Sequence, residues 1–299
     1  MLPAATEIVG ALGLMDQLVG VSHECDFPDE ANRRPRVTHC EIYGKGLPSD
    51  EVDRWVSATL RAGNSLYTID EKLLRELRPD LILTQKLCDV CAPAYGSVAA
   101  LASILPTTPR VINLEPKSLA DVFTNIQEVA AAMGSPSVAD RVCRDLQDRV
   151  ARVVNRIAGL ARPTVFVLEW TDPIYNAGHW TPELVRLAGG TSVLADEGSH
   201  SIRIAWEDLT AADPEVLIIA CCGHSVDRTL QDLPALEARP DWHGLRAVRA
   251  GRVYIADGSA FFSRPGPRLI DTLEIIASVL HGDALSATSP DCGLLRVYG

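Results

Sequence analysis

The chain has 299 residues, 47% hydrophobic and 22% charged, and its 28 Lys and Arg against 39 Asp and Glu give a formal net charge of −11. This is the composition of a soluble globular protein of about two domains, and it excludes disordered and collagen-like chains. The acidic balance argues against nucleic-acid binding, which needs a concentrated cationic face, and no apolar run of about 18 residues offers a transmembrane span.

The N-terminal MLPAATEIVGALGL has no basic n-region, and Thr6 and Glu7 interrupt its apolar stretch, so it does not read as a signal peptide. As written, the chain is expected to be cytoplasmic. Thr6 to Gly13 reads as an amphipathic helix with Thr6 as N-cap, and Leu18 to Val21 as a strand. SHECDFP follows, with His23, Glu24, Cys25 and Asp26 in one dense polar loop that either caps a helix or meets a ligand. His39, Cys40 and Glu41 form a further lid candidate.

Leu73 to Leu83, LLRELRPDLIL, reads as a short helix ending at Pro79 and then a buried strand that runs into TQKLCDVC, with Gln85, Lys86, Cys88 and Cys91. Val111 to Leu114 is a further strand. Pro136 to Gly159 carries an apolar stripe of Val138, Val142, Leu146, Val150, Val153, Val154 and Ile157 at helical spacing. Such a helix is a rod of roughly 36 Å.

The second half repeats the first. Thr164 to Leu168 is a strand ending in Glu169 and Trp170, and AGHW supplies His179 and Trp180. Thr181 to Gly189, TPELVRLAG, matches the N-terminal helix, and Leu209 to Ile219, LTAADPEVLII, matches LLRELRPDLIL with Pro214 in the place of Pro79. ACCGH follows with Cys221, Cys222 and His224; after the strand Val253 to Ala256 comes DGSAFFSRPGPR with Phe261, Phe262, Arg264 and Arg268. In the second half a strand precedes the repeated helix, so the duplication predicts one ahead of Met1; if the N-terminus is truncated, the expected location is periplasmic or extracytoplasmic.

Aliphatic strands alternating with helices define an α/β protein of two related α/β lobes joined by one long helix, with a ligand cleft between the lobes at the carboxyl ends of the strands. The expected divisions are residues 1–134, a connecting helix at 135–161, residues 162–282, and a loose tail at 283–299. Five of the eight cysteines, Cys25, Cys88, Cys91, Cys221 and Cys222, fall at strand ends beside His23, His179 and His224. Thiolates with imidazoles suit a soft metal ion, and Cys88, Cys91, Cys221, Cys222 and His224 are the candidate metal ligands. The competing reading is that these cysteines are small core hydrophobes. Trp170, Trp180, Trp206, Phe261 and Phe262 are apolar walls of the kind that hold a large planar ligand.

LPAATEIVGALGL with LVGVSHECDFP, RPDLIL, AGHWTPELVRLAGG, ADPEVLII and GRVYIADGSAFFSRPGPRLIDTLEIIASVL together resemble, in order and up to about His281, the cobalamin-binding members of the helical-backbone periplasmic-binding-protein family, the receptors of vitamin and iron-siderophore ABC importers. The resemblance implies a non-catalytic, monomeric protein that binds a corrinoid such as cobalamin and delivers it to an ABC transporter permease. It implies that Trp170, Phe261 and Phe262 grip the macrocycle, with Gln85 or Lys86 replacing an N-lobe aromatic. His23, Glu24, Cys25, Glu169, His179, Trp180 and Arg264 complete the candidate ligand-binding set, and Glu207 is a candidate docking residue. The HECD, LCDVC and CCGH clusters depart from typical importer receptors. They support the alternatives of an intracellular Cys/His metal or redox protein and of a siderophore or haem binder on the same scaffold. A hydrolase with Glu169 or His179 as base ranks last, since no nucleophile pairs with them at motif spacing.

Overall fold

A computed structural model describes residues 1–86, 93, 95–282 and 293–298. The chain forms two compact units: Met1–Leu47, Glu51–Pro116 and Ala120–Arg144 make the first, and Pro48–Asp50, Lys117–Leu119 and Asp145–Gly299 the second.

The first unit is built on α1 (Pro3–Ala11), β1 (Thr38–Cys40), α2 (Ser49–Arg61), β2 (Tyr67–Ile69), α3 (Glu71–Leu77), β3 (Leu81–Thr84), α4 (Tyr95–Ile104), β4 (Arg110–Asn113) and α5 (Leu119–Ala132). Strands β3 and β4 are parallel, and β1 and β2 antiparallel. Val37, Leu74, Ile82, Val98, Ala102 and Leu105 form a core. Helix α1 begins two residues past the chain start with Leu2 as N-cap and Pro3 opening it, so Thr6 lies inside the helix, and its hydroxyl meets Cys25 Sγ at 3.1 Å. The expected strand Leu18–Val21 reduces to one parallel bridge between Val21 and Arg36. A 3₁₀ turn, Met15–Gln17, runs straight into it, and Pro35 opposite has no N–H with which to extend a ladder.

Helix α6 (Pro136–Arg156) carries the chain into the second unit. There β5 (Thr164–Thr171), β6 (Ile174–Asn176), α7 (Thr181–Leu187), β7 (Thr191–Ser192), α8 (Trp206–Ala212), β8 (Val216–Ile219), α9 (Val226–Glu237), α10 (Arg246–Arg249), β9 (Val253–Ala256), α11 (Leu269–His281) and β10 (Leu294–Arg296) follow. The sheet runs β10-β9-β8-β5-β6, with β7 also pairing with β5. Its centre is parallel, because β8 is covered on both faces and all four of its residues are fully buried. Residues 294–298 are therefore not a loose tail. Strand β10 extends the sheet antiparallel to β9, and Tyr298 donates its hydroxyl to Glu237 while accepting from Trp242 Nε1 at 3.2 Å.

The repeated Pro79 and Pro214 mark a shared helix exit. Arg78 and Asp213, each just before the proline, adopt the left-handed conformation at φ 48° and 38°, and their N–H groups close on Leu74 O and Leu209 O. Helix α7 starts at Thr181 with Trp180 as N-cap, not with a threonine cap. Arg149 of α6 is fixed on α11 by Glu274, at 2.6 and 3.0 Å, and by Asp271.

Gly258 touches the end of β8 so closely that an added Cβ would lie 2.1 Å from Cys221 O, whereas one on Gly96 in α4 would meet nothing within 4 Å. Gly258→Ala is expected to lower stability by about 1–3 kcal/mol through forced backbone movement. Gly96→Ala should leave it unchanged or raise it by up to about 1 kcal/mol, both read from urea unfolding.

Candidate functional site

In the second unit the ends of β5, β8 and β9 bring the sequence candidates together. Trp170, near the end of β5, lies against His224, which follows β8, with ring centroids 4.8 Å apart and planes at 47°. The indole Nε1 donates to Ser49 O at 3.2 Å. Behind the imidazole stands Asp232 of α9, a buried carboxylate that accepts from Ser49 Oγ, from Thr171 Oγ1 at 3.4 Å and from Arg228 at 3.0 Å. A carboxylate withdrawn from water needs such donors, and three separate elements supply them.

His224 Nδ1 lies 4.0 Å from Asp232 Oδ2, buried and without a hydrogen-bond partner. Burial, with Arg228 adding to it and Asp232 opposing it, pushes the His224 pKa down to about 4. The ring is neutral at pH 7, so its approach to Asp232 is not an ion pair. The loop after β9 closes the arrangement: Ser259 N–H donates to His224 O, and Asp257 caps Ala260 N–H at 2.7 Å in the π-helical turn Gly258–Phe262.

The adjacent phenylalanines divide their roles. Phe262 is buried and its carbonyl accepts from Trp180 Nε1 at 2.9 Å, whereas Phe261 is half-buried under the Arg268 guanidinium. Trp180 belongs to the core, Arg264 is buried and donates to Ser259 Oγ at 3.3 Å, and Trp206 stacks on Trp242 away from this set. Glu169 accepts from Ser201 Oγ at 2.9 Å, and His179 Nε2 meets His200 Nδ1 at 3.1 Å.

The described members of the candidate metal set, Cys221, Cys222 and His224, form no metal-binding group. Cys221 is a core residue whose thiol burial pushes up, Cys222 is half-exposed, and Cys88 and Cys91 lie outside the described residues. Among the described residues no group of three or more His, Cys, Asp or Glu could hold a metal ion.

In the first unit His23 meets Tyr43 edge to face at 4.8 Å and Tyr67 at a tilt at 5.5 Å, and shares a 2.8 Å hydrogen bond between Nδ1 and Thr38 Oγ1. Its Nε2 is buried without a partner, and burial, His39 and Arg36 lower its pKa to about 4. Cys25 is buried between Thr6 and the Ser22 hydroxyl, 3.0 Å away, so it reads as core; Glu24 is half-exposed, Gln85 buried and Lys86 exposed. Sequence reasoning missed Ser49, Thr171, Asp232, His200, Tyr43 and Tyr67. Of these only Asp232 left a signal, the i,i+4 spacing from Arg228 on one helix face.

Two α/β units with chemistry gathered at strand ends define a binding protein of the periplasmic type. The chain belongs to the periplasmic binding protein family, whose model matches residues 2–260. It is 23% identical over 284 residues to a vitamin B12-binding protein of Vibrio cholerae, covering 93% of this chain and 86% of that one. It is 22% identical over 290 residues to an uncharacterised ABC transporter substrate-binding lipoprotein of Bacillus subtilis, covering 95% and 79%. Among solved structures it is similar to the periplasmic vitamin B12 binding protein BtuF of Vibrio cholerae, with TM-score 0.69, 22% identity and 96% of each chain covered. It is also similar to a periplasmic haem binding protein of Pseudomonas aeruginosa, with TM-score 0.71, 22% identity, and 94% of this chain and 91% of that one covered.

The family overturns the cytoplasmic expectation, since its members are periplasmic binding proteins and one relative is a lipoprotein. Among the described residues no helix is long and apolar enough to cross a membrane.

His23, His179 and His224 all have pKa values lowered to about 4 in the folded protein. The unfolded chain takes up these protons first, so stability is full near pH 7 and falls as pH drops through about 6.5 toward 4. The urea midpoint is expected to fall between pH 7 and pH 5, where carboxylates stay ionised, and to fall less in His224→Gln; a flat native profile would refute this.

Proposed function

We propose that the protein is the non-catalytic substrate-binding component of an ABC importer and that its ligand is a corrinoid such as cobalamin. One observation carries this reading: Trp170 and the neutral His224 lie against each other as a tilted, uncharged aromatic pair at the carboxyl ends of β5 and β8, where α/β sheets bind their ligands. A macrocycle covers such a pair without desolvating a charge, since Asp232 is already neutralised behind it by Arg228 and two hydroxyls. Phe261, half-buried on the neighbouring loop, offers a further apolar face. The vitamin B12-binding relatives support a corrinoid. A membrane permease is the expected partner, as the relative described as an ABC transporter substrate-binding lipoprotein supports, and Glu207, exposed in the first turn of α8, is its candidate contact.

Haem is the second reading, favoured by the similar fold of haem binding proteins and by a neutral imidazole that suits an iron centre as well as a cobalt one. Calorimetric titration with hydroxocobalamin and with haemin separates the two. The corrinoid is expected to bind, and Trp170→Ala to weaken it by about 2 kcal/mol, roughly thirtyfold. Binding of haemin alone would favour the second reading, and binding of neither would refute both.

A further inference from the structure

The loops Gly178–Thr181 and Gly198–Ser201 of the second unit hold two imidazoles edge to face, with centroids 4.9 Å apart and His179 Nε2 3.1 Å from His200 Nδ1. We propose that His179 and His200 are the two protein ligands of a site for a borderline divalent transition-metal ion, Ni²⁺, Cu²⁺ or Zn²⁺, with water filling the remaining positions. The inference stands independently of the corrinoid reading.

Spacing supports it first. Imidazole nitrogens bind such ions at about 2.0–2.1 Å, which puts two neighbouring nitrogens roughly 2.9–3.4 Å apart between right-angled and tetrahedral geometry. The observed 3.1 Å falls in that interval. In the present arrangement one nitrogen donates to the other with the ring planes at 88°, so metal binding requires the exposed His200 ring to turn until both lone pairs face one ion. The ring that now donates its proton across the gap then carries it on its other nitrogen, a tautomer change with no net loss of a proton. Nitrogen pairs of this kind suit Ni²⁺, Cu²⁺ and Zn²⁺ better than the hard ions Mg²⁺ or Ca²⁺.

The loops are also built to hold the pair. His179 sits in the left-handed region at φ 52°, a conformation that costs a residue with a Cβ about 1–2 kcal/mol. It is held there from both sides: His179 N–H donates to Ser199 O at 2.6 Å, and Gly198 N–H donates to His179 O at 2.8 Å. Ser201 Oγ accepts from Gly178 N–H at 3.0 Å and donates to Glu169 at 2.9 Å, which ties both loops to the end of β5. Gly178 has no room for a side chain, since a Cβ would stand 2.4 Å from Ser199 O. Lys117 is exposed, and its positive charge opposes the incoming cation.

The test uses the full chain, stripped with chelator and titrated with CuSO₄ and NiCl₂ by calorimetry, with Cu²⁺ nitrogen hyperfine structure read by EPR. One ion is expected per chain. Loss of an outer partner of a metal ligand already weakens binding about 10–100-fold, so His200→Ala should weaken it at least tenfold. Lys117→Gln should tighten it, and His243→Ala, which removes an exposed histidine elsewhere, should leave it unchanged. Absence of binding, or equal affinity in the native protein and His200→Ala, would overturn the proposal and mark any bound ion as adventitious. His200 is on the surface, so this variant keeps the test valid even where His179→Gln fails to fold.

Discussion

A buried carboxylate must be met by donors, and Asp232 is met by three, from parts of the chain far apart in sequence. Ser49 is 183 residues away from it, Thr171 closes the end of β5, and Arg228 stands one turn back on α9. Satisfying this one group fixes the Pro48–Asp50 segment within the second unit. That segment presents the Ser49 carbonyl to Trp170, which lies on His224. The Trp170–His224 pair is thus set by an electrostatic requirement behind it, and both rings are uncharged.

The architecture was legible where a local rule acts alone. Pro79 and Pro214, each after a short apolar helix and before an aliphatic run, announced the repeated exit, and Arg78 and Asp213 take the left-handed conformation that it requires. The four-residue run Val216–Ile219 read as a buried strand because parallel strands are covered on both faces. Leu18–Val21 misled for the converse reason: its residue types suit a strand, but a ladder needs a partner with N–H groups, and Pro35 lies opposite.

The candidate site was half legible. Sequence singled out the residues after the strands, and of these Trp170 and His224 meet in the structure. What sequence could not show is which side chains turn inward. The Trp180 indole donates to the Phe262 carbonyl in the core, Cys221 is packed beneath Gly258, and Arg264 ties its own loop. Cysteine position is ambiguous because one small side chain serves as ligand or as filler, and burial decides between them only once the chain is folded. Ser49 and His200 were invisible because their partners are set by tertiary contact rather than by spacing.

The claim on which the account turns is that the Asp232 network holds the Trp170–His224 pair for a corrinoid. Calorimetric titration of hydroxocobalamin into Asp232→Asn beside the native protein tests it most directly. The account predicts saturable binding to the native protein and weaker binding to the variant, with the variant's unfolding still cooperative. Equal affinity for the two folded proteins, or no heat with the native one, would contradict it.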